Sequence, residues 1–163
     1  MADAPEKHLE ALGPRFMEGL KKRAEGRVDD ALEIFQEVLR AEPRLAEPRM
    51  EIARVWLEMG KLEEAEAEAR EAVRLLETGA QWTDELPENV VLALAWALLG
   101  EVLKERAQSD EVVFGDPEVF EALLGESRVA FARAAELDPT DSASWLNAQE
   151  LGDRPSGEDG DGS

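Results

Sequence analysis

One pattern in this sequence occurs twice, 34 residues apart, and it limits the folds open to the chain more than any other feature. Residues 26–43 (GRVDDALEIFQEVLRAEP) and 60–77 (GKLEEAEAEAREAVRLLE) both begin with glycine and place small or apolar residues at helical spacing. Each stretch predicts a short amphipathic helix, whose apolar face needs a neighbour to cover it. A period in this range is typical of proteins that stack helical hairpins. The aligned positions are Gly26 with Gly60, Ala31 with Ala65, and Val38 with Ala72.

The composition excludes several classes of function. The chain has 163 residues and no cysteine, which excludes disulfides, thiolate metal sites and cysteine nucleophiles. No apolar run approaches the ~18 residues that a membrane-spanning helix needs. The first residues, MADAPEKHLEAL, lack the apolar core of a secretory signal, so a cytoplasmic location is the default prediction.

The net charge restricts the partners of the protein. The 38 acidic residues outnumber the 18 basic ones, and the formal net charge is −20. Because such a chain is repelled by nucleic-acid phosphates and by anionic lipid, we predict that it binds neither nucleic acid nor membrane. It is expected to attract basic partners. The alternative is that the acidity only keeps the protein soluble, for instance in a saline cytoplasm.

Glycine and proline divide the chain into a series of predicted helices. One helix is expected to start at Pro14, because proline suits the first helical position, and to end at Gly26. Two polar connections, residues 78–89 and 108–116, interrupt the repeat. We expect residues 1–11 to be flexible and the acidic tail, residues 152–163, to be disordered. The other predicted helices cover residues 26–43, 48–59, 62–76, 87–107, 117–137 and 142–151.

The chain resembles the tetratricopeptide repeat family, whose 34-residue helix–turn–helix units follow the pattern W-x2-L-G-x2-Y, then A-x3-F, then P. The best match to the first half of this pattern is WALLGEVL, residues 96–103, with leucine in place of tyrosine. Three units retain parts of the pattern: Gly19, Gly26, Ala31, Phe35 and Pro43 in the first, Ile52, Ala53, Trp56, Gly60 and Ala65 in the second, and Ser127, Phe131, Ala134 and Pro139 at the close of the third.

This resemblance implies an all-α fold, a right-handed α-solenoid of antiparallel helical hairpins. The repeat domain would cover residues 12–151. Its units would be residues 12–45, 46–79 and 90–141, followed by a capping helix at 142–151.

Several aromatic residues have two interpretations. Trp56, Trp96 and Trp145 are predicted to be core residues, and the alternative is that they bind a ligand. Trp82 and Phe114 lie in the two interrupting connections. Apolar loop residues of this kind either fold back on the core or contact a partner, which could be a second copy of the chain.

No cluster in the sequence predicts an enzyme. His8 is the sole histidine and lies near the start of the chain. Acidic pairs such as Glu63 and Glu64 are expected to be solvated, whereas a general acid needs burial to raise its pKa. Residues 158–162 (EDGDG) hint at a calcium loop, yet they lack the helices and the terminal glutamate of an EF-hand. We therefore predict no catalytic residue, no cofactor and no metal site.

In the tetratricopeptide family the first helix of each hairpin lines a concave groove. One well-known groove binds the C-terminal carboxylate of chaperones through lysine, asparagine and arginine side chains. The matching positions here hold Phe16, Leu20, Glu51, Leu94 and Leu98, none of which can bind a carboxylate. The resemblance therefore implies a groove without this clamp.

The predicted groove is apolar at one end and mainly acidic further along. We predict an adaptor or scaffold that binds a basic or partly apolar segment of a partner protein there. The alternatives are a small acidic tetratricopeptide chaperone for a secreted or assembly client, and a regulatory subunit of an enzyme complex. The predicted contact residues are Phe16, Leu20 and Met50 at the apolar end, and Glu47, Glu51, Arg54, Glu58, Glu101 and Glu105 along the charged part.

Overall fold

The computed structural model describes residues 3–80, 82 and 86–152, excluding the side chains of residues 3–9. This part of the chain is helical and contains no strand, so the predicted all-α class is confirmed. None of the described helices is long and apolar enough to cross a membrane. The helices are α1 (Asp3–Ala24), α2 (Val28–Ala41), α3 (Ala46–Glu58), α4 (Leu62–Glu77), α5 (Glu88–Ala107), α6 (Asp110–Val113), α7 (Pro117–Leu137) and α8 (Ser142–Gly152).

Two turn glycines explain the sequence repeat. Gly26 lies between α1 and α2 with a φ angle of +80°, and Gly60 lies between α3 and α4 with a φ angle of +76°. Residues with a side chain rarely adopt this left-handed conformation, so glycine both ends the first helix of each pair and reverses the chain. The recurrence at 34 residues is therefore a recurrence of the same turn.

The first of two compact units is Met1–Glu88, in which α1, α2, α3 and α4 pack on one another in chain order. Phe16 and Leu20 of α1 and Trp56 of α3 are partly buried against the core of this unit. Burial of apolar surface stabilises such a core by roughly 25 cal/mol per Å². The core cluster consists of Ala31, Leu32 and Phe35 of α2 and Ile52 and Val55 of α3.

The second unit, Asn89–Ser163, is built on an antiparallel hairpin of α5 and α7. At mid-helix the Ser127 hydroxyl donates a hydrogen bond to the Gly100 carbonyl at 2.7 Å. At one end the Asn89 side-chain amide donates to the Leu137 carbonyl at 2.9 Å. Because the start of α5 thus meets the end of α7, the two helices run in opposite directions. Helix α8 packs on α7.

The predicted start of a helix at Pro14 is wrong. Helix α1 begins at Asp3 and continues through Pro14 to Ala24, so the described residues of the segment expected to be flexible are helical. Proline lacks a backbone N–H, but this removes only one hydrogen bond, the one to the carbonyl of Glu10. The backbone hydrogen bonds before and after this position are sufficient for the helix to continue through Pro14.

The second connection is more ordered than predicted. Residues 110–113 form the single-turn helix α6, which buries Val112. The start of α7 agrees with the sequence, since the Asp116 carboxylate accepts a hydrogen bond from the Glu118 N–H at 2.9 Å and Pro117 is the first helical residue. This is the N-cap arrangement expected of aspartate before proline.

The prediction that three tryptophans are core residues holds only in part. Trp56 and Trp96 are partly buried, but Trp145 is 55% exposed. Trp145 lies on α8, the last described helix, and no helix follows within the described residues to cover it. The side chain of His8, residues 153–163 of the predicted tail and the EDGDG stretch within it lie outside the described residues.

Candidate functional site in the first unit

Side chains on α1 and α3 form one continuous surface, which we call the α1–α3 face. On α1, Phe16, Leu20 and Arg23 are spaced by four and three residues and so share one side of the helix. Arg23 connects the helices, because its Nη1 lies 3.4 Å from Glu51 Oε2 and its Nη2 lies 2.5 Å from Glu58 Oε1. The α3 part of the face, spaced by four, three and four residues, is Glu47, Glu51, Arg54 and Glu58.

One end of the α1–α3 face is aromatic. The ring of Phe16 packs on Phe35 of α2 at a centroid distance of 5.5 Å. The same ring meets Trp82 edge-on at a centroid distance of 5.2 Å, a favourable geometry for aromatic pairs. Phe16, Leu20 and Trp82 are all only partly buried. They therefore present an apolar platform that remains open to contact.

Trp82 is also held through its backbone. Its N–H donates to the carboxylate of Glu47, at 3.0 Å from one oxygen and 3.1 Å from the other. Hydrogen bonds to a charged acceptor are stronger than those between neutral groups. Of the two interpretations of Trp82, the one in which it folds back on its own unit agrees with these contacts.

The other end of the face is charged, but its carboxylates are paired. Glu51 is bonded by two guanidinium groups, Arg54 at 2.5 Å and Arg23 at 3.4 Å, and its side chain is only 14% exposed. Arg23 also reaches Glu58. With Glu47, the face holds three carboxylates and two guanidinium groups, which leaves one negative charge. Within the described residues, no group of three or more acidic or histidine side chains is arranged to hold a metal ion.

The structure changes the predicted set of contact residues in two ways. Met50 is 4% exposed and lies in the core, so it is not available to a ligand. Arg23 was missed, although its position three residues after Leu20 and seven after Phe16 places it on the same helical side. Arg23 also lies among the basic residues Lys21, Lys22 and Arg23 in the last turn of α1, where the helix dipole favours positive charge.

The remaining predicted residues belong to the second unit. Glu101 and Glu105 are exposed and lie one turn apart on α5. Between them, Lys104 Nζ donates to Asn147 Oδ1 of α8 at 3.1 Å. Phe114, at the end of α6, is 84% exposed, so the described residues leave its ring uncovered. The α1–α3 face contains none of these residues.

Comparison with known proteins identifies the fold. Residues 22–84 match the family model described as tetratricopeptide repeat. The first TPR of Spaghetti (RPAP3), bound to the HSP90 peptide SRMEEVD, superposes with a TM-score of 0.65 at 16% identity, covering 90% of this chain and 91% of that one. The Arabidopsis OM64 TPR domain superposes with a TM-score of 0.66 at 14% identity, covering 88% and 96%.

A third similar structure is the second TPR domain of human RPAP3 in complex with the HSP70 peptide SGPTIEEVD. Its TM-score is 0.63 at 17% identity, and the superposition covers 88% of this chain and 98% of that domain. No curated protein sequence matches the chain significantly. The resemblance predicted from the sequence is confirmed for part of the chain: residues 22–84 match the tetratricopeptide repeat model, and the fold is that of helical tetratricopeptide repeat structures.

Proposed function

We propose that this protein is a non-enzymatic interaction module that binds a basic, partly apolar segment of a partner protein on the α1–α3 face. The observation that carries the proposal is the arrangement of that face. A partly open platform of Phe16, Leu20 and Trp82 adjoins a row of charged side chains on α3. Peptide-binding surfaces commonly combine apolar residues that bury side chains of the ligand with neighbouring polar groups that orient it.

The charge of the face supports a basic ligand. One negative charge remains after the pairs on the face are counted, and the whole chain carries −20. Lysine or arginine side chains of a ligand would be attracted over long range and then meet Glu58, whose side chain is 49% exposed. The electrostatic attraction would act mainly on the rate of association.

The two RPAP3 domains bind peptides that end in the acidic sequence EEVD. Two observations argue against such a ligand on this face. Phe16 and Leu20 occupy positions where a carboxylate clamp needs polar or basic groups, and their side chains pack on the core. The two arginines of the face, Arg23 and Arg54, are already bonded to Glu51 and Glu58. An acidic tail would have to break these pairs.

The proposal can be tested by calorimetry with three synthetic peptides. One is an amphipathic 14-residue peptide with leucine on one face and lysine elsewhere, the second replaces every lysine with glutamate, and the third is SRMEEVD. We expect only the lysine peptide to bind. Its affinity should fall as salt rises from about 50 mM to about 500 mM, because exposed charges are then screened.

Variants separate a specific site from general attraction to an acidic chain. Phe16→Leu and Glu58→Gln should both weaken binding of the lysine peptide. Glu33→Gln on α2 is the matched control, because Glu33 is exposed, lies outside the face and changes the net charge equally. Equal affinities for Glu58→Gln and Glu33→Gln would contradict the proposal, as would binding of the glutamate peptide.

A further inference from the structure

A second surface of the first unit borders a cavity on the other side of α3. At 100° per residue, Arg49 and Ile52 lie roughly 160° around the helix from the row of charged residues on the α1–α3 face. Together with residues of α2 and α4 they line an open cleft of about 490 Å³. This volume is in the range of roughly 300–1,000 Å³ that is typical of small-ligand sites. We propose that this cleft binds a small organic acid, a carboxylate attached to an apolar arm.

Arg49 provides a fixed cationic wall of the cleft. Its Nη1 donates to Glu68 Oε2 of α4 and its Nη2 donates to the Pro43 carbonyl, both at 3.0 Å. These bonds use two of the five guanidinium N–H groups. The Nε is shielded from solvent and has no acceptor within the described residues. Arg49 is thus held in place from two sides and provides a fixed positive charge beside the cleft.

Arg40 provides a second guanidinium group at the same cleft. It is exposed in the last turn of α2, and its side chain makes no hydrogen bond or ion pair with any residue that the structure describes. Glu68 is the one acidic residue that lines the cleft. Nearby, Glu71 is bonded to Arg74. Two arginines against one glutamate leave a local positive charge in a chain of net charge −20, which a carboxylate would neutralise.

The remaining residues of the cleft wall favour a ligand that has an apolar part beside its carboxylate. Leu39, Pro43 and Ile52 are apolar, and they lie beside the two arginines. An apolar arm next to the carboxylate would cover these side chains, whereas a bare inorganic anion would leave them in contact with water. The side-chain amide of Gln36 adds a neutral hydrogen-bonding group.

The test uses N-acetyl-leucine as the probe and N-acetyl-leucinamide as its neutral match. Both are titrated into the full chain and followed by amide chemical shifts in NMR spectra. We expect N-acetyl-leucine to bind with millimolar affinity and to shift the resonances of residues 36–52, while the amide shifts them much less. Arg40→Met should weaken binding of the acid about tenfold, the worth of one charge-assisted hydrogen bond.

Arg27→Met is the matched control. Arg27 is also exposed, and it precedes the first turn of α2, roughly 20 Å from Arg40 along the helix. It should leave the affinity unchanged. Equal binding of the acid and the amide, no shift with the acid, or wild-type affinity in Arg40→Met would each overturn the proposal. The lysine peptide tests the α1–α3 face, which is a different surface. Failure of the peptide proposal would therefore not affect the cleft proposal, and the reverse also holds.

Discussion

The backbone N–H of Trp82 donates to both carboxylate oxygens of Glu47, 35 residues earlier in the chain. Through this contact and the packing of its ring on Phe16, Trp82, five residues after the end of α4, lies against the face formed by α1 and α3. A ligand on that face would therefore meet Trp82 as well as the two helices. One residue of the interrupting connection, Trp82, thus contributes to the candidate site.

Glu47→Gln should loosen this contact. The glutamine side chain can still accept a hydrogen bond, but it loses the charge that strengthens the native one. We expect the Trp82 amide hydrogen to exchange with solvent about fivefold faster, corresponding to about 1 kcal/mol between charged and neutral hydrogen bonds. Hydrogen exchange followed by NMR measures this rate directly.

The control for this experiment is Glu33→Gln, which removes the same charge from an exposed position on α2. It should leave the exchange rate of the Trp82 amide unchanged. If Glu47→Gln also leaves the rate unchanged, the contact between Glu47 and Trp82 does not protect this amide in solution.

Close helix packing depends on a glycine opposite a phenylalanine in both units. A Cβ atom added at Gly19 of α1 would lie 2.6 Å from Phe35 Cε1, and one at Gly100 of α5 would lie 3.0 Å from the Phe131 ring. Overpacking of this kind costs about 1–3 kcal/mol, more than the gain of up to about 1 kcal/mol in helix propensity. Gly19→Ala and Gly100→Ala should both lower the free energy of unfolding measured in urea, Gly19→Ala more strongly.

Gly125→Ala makes the same chemical change, but we expect it to raise the free energy of unfolding rather than lower it. A Cβ atom at Gly125, inside α7, would have no neighbour within 4 Å. The variant should gain helix propensity without a clash and raise the free energy of unfolding by up to about 1 kcal/mol. A loss of stability in this variant would show that helix propensity and steric clash do not explain the effects of the three glycine-to-alanine variants.

These glycine positions also show why the fold was predictable from the sequence. Gly19 with Phe35 and Gly100 with Phe131 are motif residues that recur because the same hairpin packing recurs. Asp116 and Pro117 at the start and Asp138 and Pro139 at the end define the predicted boundaries of α7 to the residue. The break expected at Pro14 was wrong because a single missing hydrogen bond does not end a helix that is bonded on both sides.

The candidate site was less predictable, since it depends on contacts between residues distant in the chain. The resemblance to the repeat family placed Phe16, Leu20 and Glu51 on one surface, but it could not show that Arg23 pairs with Glu51 across two helices. It also could not show that Met50 is buried. The face is less acidic than the sequence predicted. The sequence shows each charged residue by itself, whereas in the fold acidic and basic side chains form pairs whose charges cancel.

Asp116 is expected to stabilise α7 as its N-cap. Its carboxylate accepts a hydrogen bond from the Glu118 N–H, one of the amides that have no partner within the helix. Asp116→Ala should lower the free energy of unfolding by about 1 kcal/mol, while Asp116→Asn should retain most of it because asparagine caps nearly as well. Urea unfolding of the two variants makes the comparison, and equal losses would argue against a capping role.

Glu71 on α4 provides a prediction for the acid range. The hydrogen bond from Arg74, with a smaller contribution from the charge of Arg49, holds the pKa of Glu71 below its ordinary value of 4.5. A group whose pKa is lower in the folded state stabilises the fold above its unfolded pKa, and this contribution is lost as the pH falls through the folded pKa. The contribution should therefore be complete at neutral pH and be lost as the pH falls below 4.5 and through the lowered pKa of Glu71.

The pKa of Glu71 can be measured by NMR titration of its side-chain carboxyl group. Arg74→Met should raise this pKa toward 4.5, because it removes the largest cause of the shift. Arg70→Met is the matched control, since Arg70 lies on the same helix but bonds to Glu66 instead. A Glu71 pKa that responds equally to both variants would mean that general charge, rather than the bond to Arg74, lowers it.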